Sequence, residues 1–354
     1  MNTFKFEKTT QPKKKTPEGE LGFGQYFTDH MFLLDYSESR GWHDGRIVPY
    51  GPLCLDPAAS VLHYGQESFE GLKAYHGDRG SICLFRPDQN IDRINKSNQR
   101  LCIPQIDSQL MMDALTELVK VEQDWIPSAP GTSLYIRPFF LATEPFLGVR
   151  PANAYTFVII CSPVGSYYKE GLSPTKIYVE DQYVRAAAGG TGAVKTSGNY
   201  AASLLSYVQA HEKGYSQVLW LDAAEHKYVE EIGASNAFFV IDGQVITNPL
   251  TGTILPGITR NSAIQVLKDK GIPVSERRLS VKEIYDAYDE GKLDEVFATG
   301  TAAVISPVGA LNWKEREIVI AEGRIGKISQ MLYDTITGIQ RGELPDSHGW
   351  ITRI

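Results

Sequence analysis

The hydrophobic pattern of the first half predicts strands separated by helices. Aromatic and β-branched residues gather in five short runs, and residues 108–125 carry apolar side chains at helical spacing, including Leu110, Leu115 and Leu118. This half is therefore expected to form an α+β domain. The predicted strands cover 31–36, 69–75, 81–85, 134–142 and 155–161.

The second half has its own pattern. Residues 218–222 form an apolar run, and two further runs flank Asp242-Gly243, a dipeptide typical of a tight hairpin. A strand that begins at Val296 leads into a Gly-Thr-Ala turn at 300–302. Helices are predicted at about 201–213, 260–270 and 281–289, with Thr259 as the cap of the second and Ser280 with Glu283 as a capping box for the third.

The length of the chain points to two domains. Its 354 residues exceed what one hydrophobic core usually organises. The segment 165–174 is rich in Gly, Ser, Tyr and Pro and is the expected hinge. We therefore predict a smaller N-terminal domain at 1–168, a linker at 169–175 and a larger C-terminal domain at 176–354.

Composition and charge argue against nucleic-acid binding, membrane insertion, secretion and metal binding. The net charge of −7 argues against a nucleic-acid partner, and the basic run at 13–15 is interpreted as a solvated tail. No apolar stretch is long enough to span a bilayer and no secretory signal precedes the first domain, so a cytoplasmic enzyme is expected. The four Cys are scattered, and neither they nor the seven His have the spacing of metal ligands.

Four segments contain residues that could bind a cofactor or take part in catalysis. Lys195 lies in a Gly-rich stretch that could close around a planar partner, although a solvated surface lysine is the simpler interpretation of that residue alone. Glu231 has apolar and small neighbours and is expected to enter a sheet. The start of the helix after Gly257 and the turn at 300–302 each offer backbone N–H groups to an anion.

Together with several upstream motifs, these segments resemble the branched-chain amino acid aminotransferases, which are pyridoxal phosphate enzymes of fold type IV. The resemblance covers nearly the whole chain. It implies an α+β protein with a smaller N-terminal α/β domain, a larger C-terminal β-rich domain and the cofactor at their interface. The upstream motifs are Phe23-Gly24, Phe27–Met31, His63–Gln66, Phe69–Tyr75, Phe85–Pro87, Tyr135–Pro138, Glu144-Pro145 and Leu147–Val149.

The resemblance also assigns the cofactor-binding roles. Lys195 would attach pyridoxal 5'-phosphate covalently and move a proton during the reaction. Glu231, and not its neighbour Glu230, would keep the ring nitrogen protonated. Tyr200 would hydrogen-bond the 3-hydroxyl group, and Arg185 would lie near the phosphate. The phosphate itself would be held by Arg86, the Ile258 and Thr259 amides and the Thr301 hydroxyl.

Substrate residues follow from the same resemblance. It implies reversible transamination of L-leucine, L-isoleucine and L-valine with 2-oxoglutarate, which gives branched-chain 2-oxo acids and L-glutamate. Arg137 would bind the second carboxylate of glutamate, and the amides of Thr301 and Ala302 the α-carboxylate. Leu147 and Val149 would reach the other subunit's active site in a homodimer. The aromatic wall would comprise Phe23, Tyr64, Phe69, Tyr135 and Tyr167, for which core packing is the alternative interpretation.

Two positions depart from the family pattern. Ala234 stands where many relatives have Thr, which removes a hydroxyl near the substrate. Animal relatives carry a thiol pair after the Gly-Thr-Ala turn, where this chain has Ala303 and Ser306. A thiol switch at that place is therefore not expected.

Other functions remain as alternatives. D-amino acid aminotransferases and aminodeoxychorismate lyases share the lysine and the glutamate, but the Phe69-Glu70-Gly71 motif and the chain length favour the branched-chain enzymes. A P-loop nucleotide hydrolase is the rival from another class, because the segment from Gly189 to Thr196 misses the Walker A pattern by one residue. Val194 replaces the glycine that this pattern requires. A non-catalytic binding module would leave the lysine and the carboxylate without a use.

Overall fold

The computed structural model describes residues 4–165 and 172–354, apart from the side chain of Arg79. The chain divides into two compact units. The first comprises Met1–Lys169, Val194–Ser197 and Ile339–Ile354, and the second comprises Glu170–Ala193 and Gly198–Gly338. The C-terminal segment thus belongs to the first unit, whereas the sequence analysis assigned it to the second domain.

The first unit is built on a mainly antiparallel sheet. Its strand order is β1-β3-β2-β8-β7-β5-β6-β18, with β4 paired to β7. The strands are β1 (Lys5–Phe6), β2 (His30–Ser37), β3 (Gly41–Pro49), β4 (Glu67–Phe69), β5 (Leu72–His76), β6 (Ile82–Phe85), β7 (Ser133–Ala142), β8 (Ala154–Val164) and β18 (Ile351–Arg353).

Helices cover one face of this sheet. They are α1 (Ser60–Tyr64), α2 (Pro87–Arg100) and α3 (Ser108–Val121). Met111, Leu115 and Leu118 of α3 belong to the same buried cluster as Ile136 and Phe157 of the sheet, because residues at helical spacing present one apolar stripe. Asp107 caps α3 by accepting a hydrogen bond from the Leu110 amide at 2.9 Å. The predicted helix at 108–125 is therefore confirmed, with a 3-10 turn at Gln123–Trp125 as its last part.

The second unit contains a sheet that closes on itself. Its order is β11-β10-β9-β16-β15-β12-β13-β14, and β11 also pairs with β12. The strands are β9 (Thr175–Glu180), β10 (Gln217–Leu221), β11 (Val229–Ile232), β12 (Ser235–Ile241), β13 (Gln244–Thr247), β14 (Val274–Glu276), β15 (Leu293–Gly300), β16 (Val304–Trp313) and β17 (Arg316–Val319), the last paired with β16. The predicted hairpin at Asp242-Gly243 is confirmed by the pairing of β12 with β13.

In the described part of the chain, five α-helices lie wholly or mostly in the second unit. They are α4 (Ser197–Ala201), which begins in the first unit, α5 (Leu204–Glu212), α6 (Ile258–Asp269), α7 (Val281–Asp289) and α8 (Lys327–Gln340), whose last residues belong to the first unit. The capping box of α7 is confirmed in part, because the Ser280 side chain accepts a hydrogen bond from the Glu283 amide at 3.1 Å. Further 3-10 turns cover Glu18–Glu20, Asp78–Gly80 and Ala321–Gly323.

Several predictions about local structure were wrong. The strand expected at 69–75 is two strands, because the chain breaks pairing at Glu70 and Gly71. Thr259 does not cap α6, since Gly257 occupies the N-cap position and Thr259 lies inside the first turn. The run at 13–15 is exposed to solvent, as predicted, although Lys13 is tied to the first unit. The Lys13 amine donates hydrogen bonds to the Phe27 and Thr28 carbonyls at 3.2 and 2.7 Å and lies 3.9 Å from the centre of the Tyr50 ring.

The described residues contain neither a helix suited to a membrane nor a cluster of metal ligands. Across the ranges 4–165 and 172–354, no helix combines the length and apolar character needed to cross a membrane. Within those same ranges, no group of three or more His, Cys, Asp or Glu side chains is arranged to hold a metal ion.

Candidate active site

Lys195 is fixed to the edge strand β4 by its backbone. Its carbonyl accepts a hydrogen bond from the Phe69 amide at 3.1 Å, and its amide donates to Ser97 Oγ at 3.2 Å. The next two residues are held by Glu67, since Thr196 Oγ1 donates to the Glu67 carbonyl at 2.8 Å and the Ser197 amide donates to the Glu67 carboxylate. These bonds explain why a short piece of a Gly-rich segment belongs to the first unit.

The lysine side chain lies on an aromatic ring. Lys195 Nζ is 4.7 Å from the centre of the Phe69 ring. The guanidinium carbon of Arg137, on the neighbouring strand β7, lies 4.8 Å from the centre of the same ring. The Lys195 amine, an aromatic ring and the permanent positive charge of Arg137 therefore lie together in the first unit.

Three residues of the predicted aromatic wall form one cluster with Arg137 in the first unit. The rings of Phe23 and Tyr135 meet edge to face at 5.1 Å, and Arg137 Nη2 donates a hydrogen bond to the Tyr135 hydroxyl at 3.1 Å. Phe69 joins them through its contact with Arg137. Gly71 faces this cluster closely, because a Cβ atom at that position would collide with the Tyr135 hydroxyl. The motif Phe69-Glu70-Gly71 therefore makes space for the tyrosine.

Two buried carboxylates flank the Lys195 segment. Glu70 is fully buried and paired with Arg93, whose Nε lies 2.6 Å from Glu70 Oε1. Burial alone would raise the pKa of Glu70, but the Arg93 and Lys195 charges and the hydrogen bonds from Arg93 and Asn90 hold it below its usual value. Glu67 is the opposite case, since burial raises its pKa although Ser197, Arg137 and Lys195 oppose the shift.

Arg86 occupies an unusual backbone position. It precedes α2 with a φ of 51°, in the left-handed region that non-glycine residues seldom adopt. Its guanidinium carbon lies 5.2 Å from the centre of the Trp350 ring, and its amide donates to the Trp350 carbonyl at 2.7 Å. Burial lowers the pKa of Arg86, with Asp88 opposing the shift. The C-terminal segment therefore helps to orient a half-buried cation at a helix start.

Glu231 lies on β11 in the second unit and is almost fully buried. Its Oε1 accepts hydrogen bonds from Asn236 Nδ2 at 3.0 Å and from the Leu255 amide at 3.3 Å. Its Oε2 lies 2.8 Å from Arg185 Nε. Arg185, which was predicted near the phosphate, has Glu231 and the carbonyls of Gly192 and Thr253 as its protein partners.

The start of α6 lies close to Glu231 in the same unit. Asn236 Nδ2 also donates to the Leu255 carbonyl at 2.9 Å, and a Cβ atom on Gly257 would collide with Asn236 Oδ1. No side chain caps α6 in the described structure. Asn236 also pairs in register with Thr299, which precedes the turn at 300–302. The strand pairing therefore connects Glu231, the α6 N-terminus and the turn that contains Thr301.

The other residues predicted to bind cofactor or substrate lie on a short helix, in the first turn of α6 and in two turns between strands. Tyr200 is on the short helix α4, and Thr301 and Ala302 are half-buried in the turn after β15. Ile258 and Thr259 form the first turn of α6. Ala234 is exposed in the turn between β11 and β12. Tyr167 lies outside the described residues.

Tyr64 does not join the aromatic cluster. It is 43% exposed and donates a hydrogen bond to the Leu147 carbonyl. Leu147 and Val149 are themselves 61% and 85% exposed. Tyr64 was predicted beside the substrate, and this arrangement groups it with the two residues that were predicted to reach another subunit.

The local structure does not fit a P-loop. No strand precedes Gly189 directly, since the described residues 181–196 form turns and irregular backbone. The helix that follows Thr196 has only five residues. A P-loop needs a buried strand that leads into a phosphate loop and a longer helix, so this alternative is rejected.

Sequence reasoning missed several residues that shape the site. Ser97 belongs to α2, which the sequence analysis did not predict, and Asn236 looked like an ordinary strand residue. The Glu70–Arg93 pair joins residues 23 positions apart. A buried acid in Phe69-Glu70-Gly71 and the Pro87 start of a helix were the signals that could have indicated this pair.

The chain is similar to known proteins over nearly its whole length. The family model described as amino-transferase class IV matches residues 67–311. Branched-chain-amino-acid aminotransferase 2 of Bacillus subtilis (strain 168) is 55% identical over 352 residues, which cover 99% of this chain and 97% of that protein. Branched-chain-amino-acid transaminase 1 of the same organism is 56% identical over 349 residues, with 98% of each chain covered.

Solved structures of similar proteins have the same fold. The branched-chain amino acid aminotransferase of Escherichia coli superposes with a TM-score of 0.78 at 29% identity and covers 91% of this chain and 98% of its own. Another branched-chain amino acid aminotransferase, solved in complex with N-(5'-phosphopyridoxyl)-L-glutamate, has a TM-score of 0.75 at 29% identity, with 90% and 97% covered. By its family match and by relatives that extend over nearly its whole length, the protein belongs to the class IV aminotransferases.

Proposed function

We propose that this chain is a pyridoxal phosphate-dependent aminotransferase that exchanges amino groups between branched-chain L-amino acids and 2-oxoglutarate. The observation that carries the proposal is the position of Lys195 in the first unit. Its amine lies 4.7 Å from the centre of the Phe69 ring, which also contacts Arg137. A reactive amine thus shares an aromatic surface with a charge that suits a carboxylate.

The residues of the second unit fit the cofactor as well. A protonated ring nitrogen needs a carboxylate beside it, and Glu231 is held in place by Asn236 and Leu255. A phosphate group suits a helix N-terminus, and α6 begins at Ile258 without a side-chain cap. Gly257 lets Asn236, which binds Glu231, lie against the start of α6, because a side chain at position 257 would collide with Asn236.

When bound, pyridoxal phosphate supplies an aldehyde that condenses with amines and a ring that accepts electron density from the substrate Cα. The proposed role of Lys195 is to hold the cofactor and then, once substrate has replaced it, to carry a proton to and from the substrate Cα. Arg86, the first amides of α6 and the Thr301 hydroxyl would bind the phosphate. Tyr200 would bind the 3-hydroxyl group.

The aromatic cluster explains the choice of substrate. Phe23, Phe69 and Tyr135 offer ring faces and edges that pack against an aliphatic side chain, which gains stability from burial without needing a charge partner. Glutamate must use the same space in the second half of the reaction. Arg137 is already bonded to the Tyr135 hydroxyl, and this pair is suited to the second carboxylate of glutamate.

A homodimer with shared sites completes the proposal. Leu147 and Val149 leave large apolar side chains in solvent, and Tyr64 is tied to Leu147. Apolar side chains exposed at one place favour a partner surface. We propose that these three residues contribute to the substrate pocket of the other subunit.

A substrate comparison tests this function. Purified protein supplied with pyridoxal phosphate, L-leucine and 2-oxoglutarate should form L-glutamate and a branched-chain 2-oxo acid, and Lys195→Ala should not. D-alanine and aminodeoxychorismate serve as the substrates of the two rival activities. If D-alanine or aminodeoxychorismate were turned over faster than L-leucine, the branched-chain assignment would be rejected. Membership of the class IV aminotransferases would still hold.

A further inference from the structure

The guanidinium of Arg185, which lies against Glu231, is also held by a separate segment of the chain. Arg185 Nη2 donates to the Thr253 carbonyl and to the Gly192 carbonyl, the latter at 3.1 Å, while Nε lies 2.8 Å from Glu231 Oε2. Gly192 allows this arrangement, since a Cβ atom there would collide with the Thr253 carbonyl. The position of Thr253 therefore determines where the positive charge of Arg185 lies.

Thr253 is in turn anchored by a second buried carboxylate. Thr253 Oγ1 donates a hydrogen bond to Glu230 Oε1 at 2.5 Å. Glu230 is 7% exposed, and its carbonyl accepts a hydrogen bond from Asn248 Nδ2 at 2.9 Å. Consecutive residues of a strand point to opposite faces, so Glu230 cannot take the place of Glu231. The two carboxylates hold the same segment at different points, Glu230 at Thr253 and Glu231 at the Leu255 amide.

We propose that Thr253, anchored by Glu230, is a positioning residue that keeps Arg185 against Glu231 and so sets the charge around the cofactor ring. This inference rests on the proposed function, in which Glu231 binds the ring nitrogen. A positive charge close to a protonated group disfavours its protonation. Arg185 held in place thus opposes protonation of the ring nitrogen, whereas Glu231 favours it. The balance between the two effects depends on the Thr253 hydroxyl, which donates its hydrogen bond to Glu230 and not to Arg185 or Glu231 directly.

The charged side chains around Glu230 are the other groups that could carry its effect to Glu231. The charged groups that influence it are Arg185, Asp222 and Arg278, and burial raises the pKa of Glu230. Asp222 is already occupied, because its oxygens accept hydrogen bonds from the Glu225, Lys227 and Tyr228 amides. Asp222 is also 3.4 Å from Arg278. Of these groups, Arg185 is the one bonded to Thr253, so the hydroxyl of Thr253 acts on Glu231 through Arg185.

The test compares Thr253→Val with Thr253→Ser in the holoenzyme. Valine keeps the shape of the side chain and removes the hydroxyl, whereas serine keeps the hydroxyl. Thr253→Val should release the segment and let Arg185 move from Glu231, which raises the pH midpoint of the visible cofactor band by about half a unit or more. Because the ring then keeps its proton more readily, kcat and KM at neutral pH should stay within about twofold of the parent values. Thr253→Ser should restore the midpoint.

A matched control and a second variant keep the test decisive. Thr335 lies on α8 of the same unit, where its hydroxyl donates to Met331 Sδ at 3.8 Å, and Thr335→Val should behave like the parent enzyme. If Thr253→Val is unstable, Glu230→Ala tests the same anchor from its other end and should shift the midpoint in the same direction. An unchanged midpoint in a folded Thr253→Val or Glu230→Ala protein would overturn the inference. The proposed function fails separately, in a parent enzyme that shows no turnover of L-leucine.

Discussion

Arg185 Nε lies 2.8 Å from Glu231 Oε2, and both side chains are buried. Glu231 therefore has one oxygen beside a fixed cation and the other bonded to Asn236 and Leu255. Its neighbour Glu230 points to the opposite face of β11 and binds Thr253. Two adjacent acids of the same type thus have distinct surroundings, and exchanging each for glutamine distinguishes their roles.

Glu231→Gln should damage catalysis much more than Glu230→Gln. Glutamine at 231 retains the size of the side chain but loses the charge that favours a protonated cofactor ring. We expect kcat to fall roughly a hundredfold or more, because a few kcal/mol of barrier are lost. Glu230→Gln retains an acceptor for Thr253 and should cost only a few-fold. Equal losses in steady-state kinetics would mean that Glu231 does not have the proposed role.

Arg86→Lys should weaken binding of the cofactor. Lysine keeps the positive charge but lacks the planar pair of donors that suits a phosphate, and it cannot reproduce the contact with Trp350. We expect the dissociation constant of pyridoxal phosphate to rise about tenfold, as measured by equilibrium dialysis. Arg40→Lys, at an exposed arginine of the same unit, is the control. Unchanged affinity in Arg86→Lys would remove this residue from the phosphate site.

Arg93→Ala should destabilise the first unit in a pH-dependent way. Removing Arg93 leaves the Glu70 carboxylate buried without its ion-pair partner, at a cost of about 3–5 kcal/mol. The pKa of Glu70 is lowered in the parent, so the pair contributes above the usual value of 4.5 and is lost as pH falls through the folded-state pKa. In the variant, burial instead favours the protonated acid. The difference in urea midpoint should therefore shrink from pH 7 to below 4.5.

Lys96→Ala is the control for this experiment. Lys96 is on the same helix and pairs with Asp92 at 2.6 Å on the surface, where such a pair contributes about 0–1 kcal/mol. A similar loss of stability in both variants, or a difference that grows on acidification, would contradict the assignment of Glu70 and Arg93 as a buried ion pair.

Oxidants of thiols should leave activity largely intact. Cys83 and Cys161 are buried and burial raises the pKa of both thiols, so neither is a ready thiolate. Cys54 and Cys102 are exposed, and Ala303 and Ser306 cannot form a disulfide. Ellman's reagent should therefore modify two thiols in the native protein and four after unfolding. Peroxide inactivation that dithiothreitol reverses, and that a Cys54→Ser or Cys102→Ser change abolishes, would reveal a redox control.

The sequence predicted the elements that carry strong local signals. The β12–β13 hairpin follows from Asp242-Gly243, whose backbone suits a tight turn, and α7 follows from its Ser280 cap. The strand at 69–75 was predicted as one element because apolar residues lie on both sides of Glu70 and Gly71. In the structure Glu70 turns inward to meet Arg93 and divides the segment into two strands. That partner becomes visible only in three dimensions, where tertiary pairing overrides local propensity.

The site was predictable as a set of residue types but not as a set of contacts. The motifs identified Phe69, Tyr135 and Arg137, and the sheet register brings these three together. No local signal places Arg185 against Glu231, because their contact depends on Thr253 and on the closed sheet of the second unit. The grouping of Tyr64 with Leu147 likewise depends on residues 83 positions apart.

The central claim is that Lys195 forms the covalent attachment, and a second lysine makes the test a sharp one. Burial, together with the positive charge of Arg341, lowers the pKa of Lys73 to about 7, so this amine is chemically suited to attack an aldehyde at neutral pH. Lys73 lies opposite Tyr135 in the pairing of β5 with β7, within the same sheet as the aromatic cluster. Its lowered pKa therefore favours Lys73 as the site of attachment, whereas the family motif and the contact with Phe69 favour Lys195.

Borohydride reduction of the holoenzyme followed by peptide mapping distinguishes these two lysines directly. The account predicts one pyridoxyl group on the peptide that contains Lys195, none on Lys73, and no stable label in Lys195→Ala. Lys73→Met should still be labelled at Lys195. A pyridoxyl group found on Lys73 in the parent enzyme, with Lys195 unmodified, would contradict the account.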